Sequence, residues 1–211
     1  MATLDSSDRV VIVGDLCDFW FASRQTSVAS GPCEGLRSLK AFRDRGGSLI
    51  LLPGNHDTWL GPYYESNIGV GYRGKSFEET IHGLRFFAVH GHESGAQSAW
   101  KAWMKGRIFF QVFSAVPAVM ANTLGRMLDV ANSVRREKID HKHVATYREQ
   151  ANSLSESVDI CIFGHIHLTH DDVSRNPRLF ILGGWHHRSS YIRVDDSGHA
   201  ALVIVDDVKS D

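Results

Sequence analysis

Cysteine is scarce. Three residues (Cys17, Cys33, Cys161) in a chain of 211 form no C-x-x-C and no even framework, which points to a reducing, cytosolic compartment. Long apolar runs are missing too: none reaches the ~18–20 residues that cross a bilayer. Met1–Asp8 is short and polar, so no signal peptide is expected. Neither sign of charge dominates. The 23 Lys and Arg nearly balance the 24 Asp and Glu, which argues neither for nor against nucleic acid, and no nucleic-acid partner is expected. Repeats and low-complexity tracts are absent. What the chain does have is 43% apolar residues, enough for a full core, an ordinary 22% of charged residues, and twelve histidines. The length points to one domain with room for an insertion.

Short apolar β-rich runs alternate with turn signals. Val10–Val13 reads as a strand and "SLILLPGN" (48–55) as a second, with Gly46–Gly47 before it and Pro53–Gly54 inside its end. Between them Leu36–Arg43 has helical spacing, with Leu36 and Leu39 on the inner face. A strand–helix–strand unit implies a parallel pair. "LRFFAVHG" (84–91) and "VDICIFGHIH" (158–167) read as further strands. "LFILGGW" (179–185), "SYIRVD" (190–195) and "HAALVIVD" (199–206) read as antiparallel strands closing the chain. Residues 94–157 differ: they read as helical, rich in Trp, Phe, Met and Val, and are broken by Pro117. This block lies between two strand ends, which makes it an insertion. Its basic residues, among them Lys101, Lys105, Arg107, Arg135 and Arg136, outnumber its acidic ones.

Four strands end in polar groups suited to metals: Gly14-Asp15, "GNHD" (54–57), "HGHE" (90–93) and "GHIH" (164–167). In open α/β sheets, ligands gather at the carboxyl ends of strands. Glycine allows a sharp turn and a close approach there. Carboxylate, amide oxygen and imidazole together suit Mn, Fe, Zn or Co better than Mg alone. Taken singly, each motif has a plainer explanation. Asp15 can cap a helix, Asn55 can form a turn, His56 and Asp57 can pair on the surface, and His165 and His167 can share one strand face. Nothing in those explanations requires all four clusters to follow β-runs. His90, at the strand end, is a better ligand candidate than His92 or Glu93. Asp18 is expected to support the site or open a helix. His170, His186 and His187 are not expected to be direct ligands.

In order and spacing these motifs resemble the calcineurin-like metallophosphoesterases, whose signature runs D-x-H, G-D-x-x-D, G-N-H-D, a His-bearing strand end, then G-H-x-H. "GDLCD", "GNHD", "HGHE" and "GHIH" match the last four. The resemblance implies a four-layer α/β/β/α sandwich spanning 1–211 as a single domain, with 94–157 inserted as a helical lid. It implies metal ligands Asp15, Asn55, His90, His165 and His167. Asp15 would bridge two ions ~3.5–4 Å apart that clamp a phosphoryl group, with Mn²⁺ first and Zn or Fe as alternatives. His56 would be the general acid, oriented by Asp57.

Within that superfamily the chain looks most like the UDP-2,3-diacylglucosamine hydrolases of lipid A synthesis. "GDLCDFWF", "LGGWHHRSSYIRV" (182–194) and the position of the insertion carry this likeness. It implies a nucleotide-lipid substrate, contacts to it from Asn55, His165 and Trp185, and an enzyme in the cytoplasm, peripheral at the inner membrane. The apolar helices with basic flanks suit that surface, although the same apolar face can simply pack on the main domain. Two departures bear on substrate: His56 stands where those enzymes carry Arg, and "HGHE" replaces their "HGD". D-x-H itself is absent, since Met1–Asp8 holds Asp5 and Asp8 but no histidine. The chain is therefore expected to start inside the domain, to keep only Asp15 and His167 for the second ion, and to expose a sheet edge beside Val10–Val13. Three readings stay open: a lipid pyrophosphatase, a phosphoesterase for a soluble nucleotide or phosphoprotein, and an inactive fragment.

Overall fold

The computed structural model describes residues 4–16, 34–55, 61–72, 74–92, 140–184 and 189–205. The chain is of mixed α/β class, with several sheets, and divides into two compact units, one on either side of Gly74–Lys75 in this part of the sequence.

The first unit is built on the expected strand–helix–strand. Strand β1 (Arg9–Ile12) lies parallel to β2 (Ser48–Leu51), Arg9 opposite Ser48 and Ile12 opposite Leu51. A short β3 (Gly71–Tyr72) extends the sheet beside β2, also parallel. Helix α1 (Glu34–Asp44) starts with an acid and ends near Arg43, each matching the helix dipole. Its stop is a glycine-terminated hydrogen-bond pair: Gly47 N–H donates to Phe42 O and Gly46 N–H to Arg43 O. Leu36, Leu39 and Phe42 are its buried face. Helix α2 (Gly61–Ile68) adds Tyr64 and Ile68. Leu36, Leu39, Leu49, Leu51, Tyr64, Ile68 and Val70 form one apolar core. The Arg43 guanidinium links the two helices through the Gly69 carbonyl, 2.8 Å from Nε.

The second unit holds a five-stranded sheet in the order β4-β5-β6-β8-β7. Strands β4 (Ser76–Ile81) and β5 (Leu84–Val89) form an antiparallel hairpin. Its two-residue turn, His82-Gly83, has positive φ at both positions (50° and 83°), the geometry that matches strand twist. Strands β6 (Ile160–Phe163) and β8 (Arg178–Ile181) then join parallel to β5 and to each other, while β7 (His170–Asp172) runs antiparallel at the edge. The antiparallel reading of 179–185 holds on one side of β8, toward β7, and is corrected on the other: the chain turns back through β7, which lies outside β8 and leaves β8 parallel to its inner neighbour β6. Strands β9 (Ser190–Val194) and β10 (Ala200–Ile204) do pair antiparallel, as expected.

Helix α3 (Asp140–Ser153) packs on this sheet. Its Tyr147 and Ala151 are fully buried with Val158, Cys161, Phe163, Leu179 and Ile181. Arginines fasten the surrounding strands. Arg178 makes two hydrogen bonds to Asp171 and a third to Ala200 O. Arg148 of α3 reaches Asp172 and Pro177 O. The rest of the segment 94–157 read as a lid, residues 94–139, lies outside the described residues apart from α3 and the turn after it.

Candidate functional site

In each unit, parallel strands bring their carboxyl ends to one edge, and the residues singled out in the sequence follow there. In the first unit the β1–β2 ladder continues one step past the strands, with Leu52 N–H donating to Ile12 O at 2.9 Å. Gly14 and Asp15 come next on one side, Gly54 and Asn55 on the other. Asp15 has φ 50°, the left-handed region that costs a β-substituted residue free energy. Gly54 is backed directly against it. A Cβ on Gly54 would stand 2.0 Å from Asp15 Oδ1 and 2.2 Å from its backbone N, so only glycine fits. Asp15 and Asn55 are both half-buried.

In the second unit, His90 follows β5 and is 2% exposed, a rare burial for an imidazole. His165 and His167 follow β6. The two turns are tied together by Gly164 N–H donating to His90 O at 3.2 Å. The His90 and His165 rings lie 5.2 Å apart edge to face. His165 (φ 70°) and His167 (φ 57°) share the strained backbone of Asp15. The segment that leaves β8 supports His167: a Cβ on Gly184 would be 2.7 Å from His167 Cγ. That segment is held in turn by the buried Ser190 hydroxyl, which accepts from Gly183 N–H at 2.8 Å.

Four non-glycine residues among those described have positive φ. His82 occupies a hairpin turn, where αL backbone is ordinary. The other three are Asp15, His165 and His167, all expected ligands. Backbone strain persists where the surroundings over-determine it, and functional sites are where it concentrates.

Two residues had not been picked out from the sequence as part of this surrounding. Tyr147 stacks on Phe163 at 4.4 Å with rings nearly parallel, and its hydroxyl donates to Gly91 O at 3.4 Å. Burial raises its phenol well above the ordinary range, so it stays protonated. Its contact spans 56 positions, and no local pattern announces it. Ser190 is the second, a small polar residue that looks like any strand residue in sequence. Cys161 is buried in β6, and burial pushes its thiol up to about 11, which removes it as a nucleophile at neutral pH. His170 opens β7 opposite Ile181. His56, Asp57, Asp18, Glu93, Trp185, His186 and His187 lie outside the described residues.

The donor chemistry fits divalent metal ions. The first unit offers carboxylate and amide oxygens, and the second offers imidazoles, a mixture suited to first-row transition metals. Such donors at parallel strand ends define a metal-dependent hydrolase of α/β class. Residues 3–168 match the family model of the calcineurin-like phosphoesterases. The chain belongs to that family and is a phosphoester hydrolase that uses divalent metal. It is 24% identical over 205 residues to a UDP-2,3-diacylglucosamine hydrolase of Porphyromonas gingivalis, covering 86% of this chain and 78% of that one. A protein of the same name from Xanthomonas oryzae is 23% identical over 209 residues, covering 91% and 84%. Among solved structures, an archaeal phosphodiesterase superposes with a TM-score of 0.47 at 14% identity, covering 94% of this chain and 83% of that one.

Proposed function

We propose that this chain hydrolyses the pyrophosphate of a nucleotide-linked acylated sugar, UDP-2,3-diacylglucosamine or a near analogue, releasing UMP and a monophosphorylated lipid. The observation that carries the site is the left-handed backbone at Asp15, His165 and His167. Together with the names of the relatives, it supports a metal-ligand set of Asp15, Asn55, His90, His165 and His167. Mn²⁺ is the proposed metal, with Zn or Fe as alternatives. When bound, the metal supplies Lewis acidity toward the phosphoryl oxygens.

The chain's own groups do the rest. Asn55 and His165 also contact the phosphate oxygens, and Trp185 packs on the substrate. Water attacks phosphorus in line, its new P–O bond forming as the bond from phosphorus to the departing oxygen breaks, and its surplus proton leaves to solvent. His56 gives that oxygen a proton from its ring N–H, and Asp57 holds the imidazole in the donating orientation. The apolar and basic stretch 94–139 would meet the acyl chains and the membrane surface from the cytoplasmic side.

A second reading, a metallophosphoesterase for a soluble nucleotide or phosphoprotein, is favoured by His56 and "HGHE", both of which depart from the lipid enzymes. A substrate panel with added Mn²⁺ separates the two. UDP-2,3-diacylglucosamine should release UMP at least tenfold faster than UDP-N-acetylglucosamine or bis-(p-nitrophenyl) phosphate, and the protein should co-sediment with lipid vesicles. Equal turnover of acylated and unacylated nucleotides, without vesicle binding, would select the soluble substrate.

A further inference from the structure

Tyr147 of α3, fully buried, reaches both histidine-bearing turns of the second unit. The face of its ring stacks on Phe163 at 4.4 Å, with 11° between the planes. Phe163 is the last residue of β6, and His165 follows just beyond it. The far end of the same ring meets the turn after β5. A Cβ on Gly91 would stand 2.6 Å from the Tyr147 hydroxyl oxygen, 2.9 Å from its Cζ and 3.2 Å from its Cε1. The tip of the ring therefore occupies the space that a side chain at position 91 would fill. The hydroxyl also donates to Gly91 O at 3.4 Å, a long contact that adds little beside the packing. Gly91 follows His90 directly, and its φ of 96° lies in the left-handed region that favours glycine.

The ring is held on its other sides too. Phe163 is tilted against Phe87 of β5, 6.4 Å between centroids. The His143 ring, one turn earlier on α3, lies 6.4 Å from that of Tyr147 at 55°. The next residue, Arg148, ties the helix to Asp172 and to Pro177 O. A flat ring packed in this way has little freedom to shift, and both turns rest on it. The turns also meet through Gly164 N–H, which donates to His90 O at 3.2 Å. That bond fixes a distance between two backbones but leaves rotation about it open. A ring shared by both turns removes that freedom.

We propose that Tyr147 is a positioning residue for the metal site: it sets the separation of the His90 and His165 imidazoles, whose rings lie 5.2 Å apart edge to face. It thereby sets the geometry and affinity with which they hold an ion. The proposal rests on the reading that His90 and His165 are ligands, and it extends that reading to a residue that coordinates nothing itself. Burial keeps the phenol protonated, so Tyr147 acts by its shape and not as a phenolate.

The test is metal binding by the full chain. Metal-free protein is titrated with Zn²⁺ and with Mn²⁺ by calorimetry, and the Co²⁺ form is followed by its visible spectrum. Wild type is compared with Tyr147→Leu, Tyr147→Phe, His90→Ala and Phe86→Leu, at a temperature where circular dichroism shows each to be fully folded. Phe86 is buried on β5 but points to the opposite sheet face from Phe87. Phe86→Leu thus removes a buried ring from the strand that leads to His90 without touching the packing of Tyr147. Tyr147→Leu should lower affinity for both ions ~10–100-fold, the usual cost of losing a group that orients ligands from behind, and should shift the Co²⁺ bands. Tyr147→Phe keeps the stack, so it should recover most of the affinity and the wild-type bands. Phe86→Leu should lower Tm and leave affinity within about twofold. Equal losses in Tyr147→Leu and Phe86→Leu would show a general loosening of the core and overturn the positioning role. Unchanged affinity and spectrum in Tyr147→Leu, beside lost binding in His90→Ala, would also overturn it and leave the ligand reading standing. Unchanged binding in His90→Ala would overturn the ligand reading and this proposal together. If the leucine variant fails to fold, Tyr147→Met keeps more of the bulk without the flat ring and is judged by the same outcomes.

Discussion

The two units solve one problem with different chemistry. Each brings parallel strands to a common carboxyl edge and places polar side chains just beyond it, beside a glycine that permits close approach. The first unit offers oxygen donors, Asp15 and Asn55, and its glycine contact involves backbone: Gly54 faces the amide N of Asp15 as well as its carboxylate. The second offers imidazoles, and its corresponding contact is with a side chain alone, Gly184 against His167. The units also differ in how they are fastened. Among the described residues, the second holds the arginine–aspartate pairs Arg85–Asp159, Arg178–Asp171 and Arg148–Asp172 across strands and helix, and the first holds an exposed lysine–aspartate pair within one helix. Left-handed backbone at the candidate ligands is common to both units, at Asp15 in one and at His165 and His167 in the other; what differs is the atom the glycine holds, backbone and carboxylate at Asp15 and side chain at His167.

The sharpest way to break this comparison is to separate catalysis from metal holding. His56, encoded beside Asn55, is the proposed acid and not a ligand. His56→Ala should reduce kcat by ~10²–10⁴ while metal affinity stays within twofold. A nitrophenyl ester, whose leaving oxygen needs little protonation, should be slowed less. His165→Ala should do the reverse, lowering metal affinity at least ~100-fold, while His170→Ala, at the edge of the same sheet, should leave it unchanged. Calorimetric titration with Mn²⁺ and Zn²⁺ checks both. Equal losses from His165→Ala and His170→Ala would end the ligand assignment.

The glycines should differ in the same sense. Gly54→Ala must move backbone at Asp15, so it should lower stability by about 3 kcal/mol and weaken metal binding as well. Gly184→Ala presses on the His167 side chain, from its Cβ to its Nδ1, and not on backbone. Its stability cost should be about 1 kcal/mol, with most of the effect falling on metal affinity. Denaturant unfolding without metal separates the stability terms. Equal costs would show that both contacts are side-chain contacts in effect.

Much of this was legible in the sequence because it is local. The strand–helix–strand of 9–51 announced itself through apolar β-runs around a helix whose Leu36 and Leu39 are buried, and the four strand-ending motifs sit within a few residues of the strands that place them. Less legible were the sheet edges. Strand β4 carries exposed Glu78, Glu79 and Thr80, charges that protect an edge from pairing and also hide the apolar alternation that reveals a strand. Strand β7, His170-Asp171-Asp172, has no apolar residue at all, and its carboxylates are matched by Arg178 and Arg148 from elsewhere. The antiparallel reading of β8 holds only toward its sequence neighbour β7; its parallel pairing with β6 is made by a strand before β7 in the chain, which no local pattern shows. Tyr147 was invisible for a third reason: its value to the site lies in a ring stack and a carbonyl 56 residues away.

The smallest effect tests how the units are fastened. Asp159 precedes β6, and Arg85 belongs to β5, at the opposite ends of those strands from His165 and His90. The carboxylate accepts from Arg85 Nε at 3.0 Å, Nη2 at 2.8 Å and the Arg85 backbone N–H at 2.9 Å. These hydrogen bonds, the side-chain ones foremost, hold its pKa down to about 2. In the unfolded chain an aspartate titrates near ~3.9. A folded pKa below the unfolded one means that the pair contributes its full stability above about pH 4 and loses it as pH falls toward 2. Asp159→Asn should therefore lower Tm at pH 7, and the gap from wild type should close between about pH 4 and pH 2. The gap should not exceed roughly 2–4 °C, because Arg85 is 42% exposed and solvent screens the pair. Asp44→Asn in the first unit should change Tm by less, since Lys40 and Asp44 are 42% and 59% exposed and sit one turn apart on a single helix. Metal affinity should stay unchanged in both. A metal-binding defect in Asp159→Asn would mean that strain at the amino ends of β5 and β6 reaches the histidines at their carboxyl ends, and that the strands, rather than the turns beyond them, set the ligand geometry.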